Sequence, residues 1–254
     1  MSLPSFSVED KVTIVTGASR GIGNALARGF ALAGAKVALA SRTESELKAT
    51  ASEIRADGDE AFVIPTDVTD REQVAHMVEA TVKEWGRIDV LLNVAGGAGD
   101  IWVKPAIDME EEYYDELHHR NLKSVFLCNQ AVARVMVDQG SGSIINVTSL
   151  SGTKPIALEA AVGAFKSGVN HLTRALAVAW GPYNVRVNVI APGITLTDRV
   201  KEKLSPALIK QFTRDVPLQR AAEPEDHLGP AIFLASDASA FITGSVIPSD
   251  GGPQ

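Results

Sequence analysis

The stretch Val12-Thr13-Ile14-Val15-Thr16-Gly17-Ala18-Ser19-Arg20-Gly21-Ile22-Gly23 decides the fold. A β-branched apolar run ends at Gly17, and Gly21 and Gly23 lead directly into a helical stretch near Ile22–Ala33. Glycine allows a tight turn and lets backbone approach a pyrophosphate, while the free N–H groups of the helix start carry positive potential. Lying in the first strand–helix unit of the chain, the turn reads as a dinucleotide site formed by Gly17, Ser19, Arg20, Gly21, Ile22 and Gly23.

Outward from that turn the same alternation recurs. Lys36–Ala40, Ala61–Pro65, Ile88–Asn93, Ser143–Thr148, Val185–Ile190 and a short Ser245–Ile247 read as further strands, with helical stretches between them. Strands this apolar on both faces belong to a parallel sheet covered on each side. Right-handed crossovers make it an α/β, Rossmann-type doubly wound sheet. No linker divides the chain, so residues 1–254 read as one domain, with a cofactor half over about 1–100 and a substrate half over about 101–254. Gly96–Lys104 and Gly193–Arg214 are the least regular stretches, and the second reads as a lid over the crevice at the carboxyl ends of the strands.

Composition narrows the partners. The net charge of −7, without a basic cluster, argues against nucleic acid and anionic membrane. No apolar run reaches bilayer length, and the start MSLPSFSVEDK lacks the pattern of a secretory signal. The lone Cys128 cannot form an internal disulfide or a multi-cysteine zinc site, and its apolar helical surroundings read as core. His118 and His119 are adjacent, which is not ligand spacing, so no metal is expected. The expectation is a cytoplasmic protein acting on a small molecule.

The residues then become specific. TGASRGIG, Asp67-Val68, Asn93-Val94-Ala95-Gly96, Asn121, GSIINVTS ending in Ser149, Lys166, Pro192-Gly193 and Asp250-Gly251-Gly252 together resemble the short-chain dehydrogenase/reductase family from Lys11 to Gly252. The resemblance implies that Asp67 and Val68 hold an adenine ring, that Asn93, Ala95 and Gly96 line the cofactor, and that Pro192, Gly193, Thr195 and Thr197 flank a nicotinamide. It also implies a homo-oligomer, commonly a tetramer, built through about 110–139, 159–180 and the chain end. An NAD site usually offers a carboxylate at the end of the second strand. Here that strand ends Ala40-Ser41-Arg42, and Arg42 with Arg20 suits a 2′-phosphate, so NADP is the expected cofactor.

In the resemblance, catalysis uses Ser, Tyr, Lys and Asn. Ser149, Lys166 and Asn121 match, with Asn121 keeping a water relay in place, but the position four before Lys166 is Val162. The chain's tyrosines are Tyr113, Tyr114 and Tyr183, none of them near Lys166 on its helix. Removing a positioned proton donor costs about 10²–10⁴-fold in rate. Four readings stand open: water or another side chain supplies the proton, the reaction needs none, the protein is catalytically silent, or a tyrosine was exchanged for Val162. Glu159 is the candidate substitute, because positions 159, 162 and 166 share a helix face. A carboxylate in a first helical turn is also favoured by the helix dipole whatever its function. The reading is an NADP(H)-dependent oxidoreductase acting on a carbonyl, alcohol or imine, with a non-redox lyase, isomerase or cyclase on the same fold as the alternative.

Overall fold

The computed structural model describes residues 4–97 and 104–252. Among them seven strands form one sheet: β1 (Val12–Thr16), β2 (Lys36–Ser41), β3 (Ala61–Pro65), β4 (Val90–Asn93), β5 (Gly142–Val147), β6 (Val185–Pro192) and β7 (Val246–Ser249). Their spatial order is β3-β2-β1-β4-β5-β6-β7, and every pairing is parallel. The doubly wound sheet expected from the sequence is the fold observed.

Side-chain alternation along the strands divides the core in two. Val15, Val37 and Leu39 pack on one face against α1 (Gly21–Leu32), α2 (Glu44–Ala56) and α9 (Leu228–Ala235), with Phe30, Leu47 and Leu234 at the contact. Ile14, Ala38, Leu91 and Ile144 pack on the other against α3 (Arg71–Trp85), α5 (Ser124–Gln139) and α6 (Ala160–Trp180), through Met77, Met136 and Ala177. The period-two alternation of a strand thus supplies two apolar faces at once. No helix among the described residues is long and apolar enough to cross a membrane.

Chain order reverses between β1 and β4, which pair Thr16 with Asn93, so a crevice opens beyond the carboxyl ends of these strands. α4 (Glu111–His118) runs into α5 through a π-helical turn, His119–Lys123, which carries Asn121. Several strand ends shift by one or two residues from the sequence reading, and two differences bear on the site. β6 continues to Pro192 because Ala191 and Pro192 pair with Pro248 and Ser249 of β7. The stretch expected to be irregular after Gly193 contains α7 (Asp198–Lys203) and α8 (Pro206–Thr213). Thr197 caps the first by accepting from Val200 N–H, and Ser205 with Pro206 starts the second. Most of Gly96–Lys104 lies outside the described residues.

Candidate active site

A cavity of about 1220 Å³ opens along the carboxyl ends of the central strands. At one end its wall is the turn after β1, with Gly17, Ser19, Arg20, Gly21, Ile22 and Gly23 lining it. Gly17 has φ +70°, and a Cβ there would stand 3.1 Å from the backbone of Ala95. A Cβ on Gly23 would stand 2.1 Å from the Gly17 carbonyl oxygen, so no other residue fits without moving the turn. α1 starts here with no side-chain cap and no acidic residue in its first turn, which leaves donors and positive potential facing the cavity.

Ser41 and Arg42 line the same end, and the Ser41 hydroxyl is buried without a hydrogen-bond partner. Among the described residues Arg42 has no carboxylate at ion-pair distance, whereas Arg20 pairs loosely with Glu46 at 3.7 Å. Glu44 is occupied by Lys48 at 2.8 Å. Asp67 and Val68 form the adjoining wall, where the Asp67 carboxylate accepts from Thr69 N–H (2.9 Å) and from Thr69 Oγ1 (2.7 Å). An uncapped helix start and an orphaned hydroxyl beside a cradle that only glycine allows fit a dinucleotide.

The other end is made by side chains. Ser149, Glu159, Val162 and Lys166 all line it. Ser149 Oγ accepts from Ser151 N–H (3.2 Å) and Ser151 Oγ (3.1 Å), which leaves its own proton to donate outward. Lys166 is 5% exposed and donates from Nζ to the Val147 carbonyl at 3.2 Å. Burial pushes its pKa down to about 8, because no carboxylate among the described residues pairs with the ammonium. Val162 rests against Leu117, Ala161 and Phe165 and offers no proton. None of the three tyrosines lines the cavity: Tyr114 packs at a tilt against Phe165 with ring centres 5.0 Å apart, Tyr113 packs on the cluster around Leu117, and Tyr183 follows α6.

Several expected site residues stand behind the wall instead of in it. Asn93 is buried, and its amide reaches the Val125 carbonyl, Asn129 and Asn146 while its oxygen accepts from Thr16 Oγ1. It braces β1, β4, β5 and α5, and Val94, Ala95, Gly96 and Gly97 are the residues that reach the cavity. Asn121 is likewise spent: its oxygen accepts from Gly97 N–H at 2.8 Å, and its amide donates to the Gly97 and Leu117 carbonyls. It holds the loop after β4 and does not line the cavity. Pro192, Gly193 and Thr195 also lie outside the lining, where Thr197, Asp198 and Arg199 take their place. Glu159 stands one residue before α6, at the end of a 3₁₀ turn Ala157–Glu159, and not in the helix's first turn. It lines the same cavity as Val162 and Lys166.

Some lining residues were not foreseen. Glu112, Asp115, Glu116, His119, Arg120 and Lys123 project from α4 and the π-helical turn into the cavity, at the three- and four-residue spacing of one helix face. The signal was present in the spacing, but helical periodicity alone does not say whether a polar face meets solvent or a cavity. Cys128 is core, as expected, and burial pushes its thiol up to about 12.

A family model described as enoyl-(acyl carrier protein) reductase matches residues 17–254. The chain is 39% identical over 249 residues to an L-rhamnose 1-dehydrogenase (NAD(P)(+)) of Azotobacter vinelandii, covering 96% of each. A 7α-hydroxysteroid dehydrogenase solved with NADH and 7-oxo glycochenodeoxycholic acid superposes with a TM-score of 0.92 at 31% identity, over 97% of this chain and 95% of the other. A gluconate 5-dehydrogenase candidate of Beutenbergia cavernae, solved with NADP at low occupancy, gives 0.91 at 35% identity, over 97% and 98%.

Proposed function

The chain belongs to the short-chain dehydrogenase/reductase family and is an oxidoreductase of that type, and within that class we propose NADP(H)-dependent hydride transfer to or from a carbonyl, alcohol or imine without a tyrosine. The observation that carries the reading is Val162, an aliphatic side chain lining the cavity between Ser149, Glu159 and Lys166. The bound nicotinamide supplies the hydride.

The Gly17–Gly23 turn and the start of α1 hold the pyrophosphate, and Arg42, Arg20 and Ser41 take the 2′-phosphate. The free guanidinium of Arg42 and the unpartnered Ser41 hydroxyl support NADP over NAD. Lys166 has two N–H donors beyond the one given to Val147, and these suit ribose hydroxyls. Ser149 donates its proton to the substrate heteroatom and so orients it. Water or Glu159 carries the proton that a carbonyl oxygen takes up, and an iminium substrate needs none at nitrogen, since hydride addition at carbon gives the neutral amine directly. The exposed Phe126 and Val178 on α5 and α6, with a hollow lined by His118, Leu122, Phe126 and Leu172, support a homo-oligomer through these helices.

The test mixes the protein with NADPH or NADH and a panel of ketones and cyclic imines, alongside Val162→Tyr and Glu159→Gln. The expected outcome is NADPH oxidation with imines by the wild type, and a gain of about 10²–10⁴-fold on ketones in Val162→Tyr. Glu159→Gln should lower turnover if Glu159 supplies the proton; unchanged turnover assigns the proton to water. Binding of NADPH with no turnover of any substrate by either the wild type or Val162→Tyr would overturn the redox reading.

A further inference from the structure

His227 is fully buried, although nothing in its sequence surroundings marks it. It ends a 3₁₀ turn, Pro224–His227, that leads into α9. Both ring nitrogens are engaged: Nε2 lies 2.9 Å from Thr195 Oγ1, and Nδ1 lies 2.8 Å from Ser249 Oγ.

Thr195 Oγ1 also lies 3.1 Å from the Gly193 carbonyl, which can take its one proton. The tautomer that satisfies all three contacts has hydrogen on Nε2, donated to Thr195 Oγ1, with Nδ1 accepting from the Ser249 hydroxyl. Gly193 N–H in turn donates to the Ser249 carbonyl at 3.1 Å. The four residues close a ring of directed bonds joining the end of β6, the end of β7 and the start of α9. A ring of this kind fixes orientation in a way that apolar side chains filling the same volume do not, because packing lacks directionality.

The segment so held leads into the cavity. Thr197 N–H donates to the Thr195 carbonyl at 2.8 Å, and Leu196 N–H and the Ile194 carbonyl both bond to Ala222. The methyl of Thr197 stands 3.1 Å from where a Cβ on Gly21 would be, so this segment packs directly against the glycine turn. Thr197, Asp198 and Arg199 line that wall.

We propose that His227 is a positioning residue for the nicotinamide end of the cofactor: through Thr195 it sets the segment that brings Thr197 into the cavity wall beside Gly21. The inference rests on the cofactor reading above. It asks of His227 a neutral ring with hydrogen on Nε2, and no contact with substrate or cofactor.

The test compares NADPH with 2′,5′-ADP, which keeps the adenosine with its 2′- and 5′-phosphates but lacks the nicotinamide nucleotide. His227→Leu is expected to weaken NADPH binding about tenfold or more, since it leaves the Thr195 and Ser249 hydroxyls without their ring partner. Affinity for 2′,5′-ADP is expected to stay within about twofold, because that end of the cavity is built from β1, β2 and α1. His227→Gln, whose amide N–H can still donate to Thr195, should recover most of the loss. Equal weakening of both ligands, or none, would overturn the inference by reducing His227 to packing. If His227→Leu does not fold, Ser249→Ala serves in its place, with an expected twofold to fivefold effect (about one weak hydrogen bond) on NADPH alone. Long-range nitrogen–proton NMR correlations on the cofactor-free protein test the tautomer independently, and a hydrogen on Nδ1 would overturn it. Wild-type protein that fails to bind NADPH would overturn the cofactor reading, an outcome distinct from a wild type and a leucine variant that bind it alike.

Discussion

At the Gly17–Gly23 end the cavity wall is main chain, with the uncapped start of α1 facing inward, whereas at the Ser149–Lys166 end it is side chain. A main-chain wall is set by φ angles and close approach, and tolerates almost no substitution. A side-chain wall can be rewritten one residue at a time while the helix beneath it stays put. Val162 lies on that second wall, half-buried on α6, and its neighbours Ala161 and Phe165 remain part of an ordinary apolar cluster. The difference teaches how binding and chemistry separate in this molecule: the first end can keep its ligand while the second changes its reaction.

The sharpest break of that contrast is Gly23→Ala. Its methyl would meet the Gly17 carbonyl at 2.1 Å, and backbone on both sides leaves nowhere to move. The expected outcome is loss of NADPH affinity by about a hundredfold or more, with a lowered thermal midpoint, read by fluorescence titration and calorimetry. An alanine variant that binds NADPH like the wild type would remove the distinction between the two walls.

Lys166 sharpens the contrast from the other side. Its pKa falls to about 8 through burial, so the folded state disfavours the ammonium. Between pH 8 and the unfolded value near 10.5 the unfolded chain binds more protons than the folded one, and stability therefore rises with pH across that window. Below pH 8 the burial cost is carried in full. Lys166→Met should remove this rise and stabilise the cofactor-free protein near pH 7 by a few kcal/mol, on the order of the desolvation relieved, while abolishing turnover. Urea denaturation of both proteins at pH 7.5 and 9.5 checks it, and a methionine variant less stable at pH 7.5 would mean that the ammonium is a net stabiliser.

How much of this was legible in the chain follows the same division. The β1 turn could be read because glycine spacing there answers to backbone geometry, and the sheet followed from strands apolar on both faces. Ser149, Val162 and Lys166 were found by spacing along one strand end and one helix, and the cavity brings them together. Asn93 and Asn121 carried motif positions, yet their amides turn to Thr16, Val125, Gly97 and Leu117, because a buried amide is held by whichever backbone and side-chain partners the tertiary fold provides. His227 could not be found at all, since its partners Thr195 and Ser249 lie 32 and 22 residues away in the chain. Local pattern reports what a segment offers, not what is folded against it.

The smallest expected effect lies within the first wall, at the exposed side chain of Arg20. Its exposed guanidinium sits 3.7 Å from Oε1 of the half-buried Glu46, a separation that makes the pair weak. A 2′-phosphate competes with that carboxylate for the same cation. Glu46→Gln should therefore tighten NADPH about twofold to threefold at low salt and leave NADH unchanged, and the gain should fade as ionic strength rises. The opposite sign is equally informative: if Glu46 instead accepted from a ribose hydroxyl, as a carboxylate near the second strand does in NAD sites, the glutamine variant would weaken NADH. Parallel titrations with the two nucleotides at two salt concentrations distinguish these outcomes. Weakened NADH with NADPH unmoved would transfer the preference to NAD and leave Arg42 as a solvated loop residue.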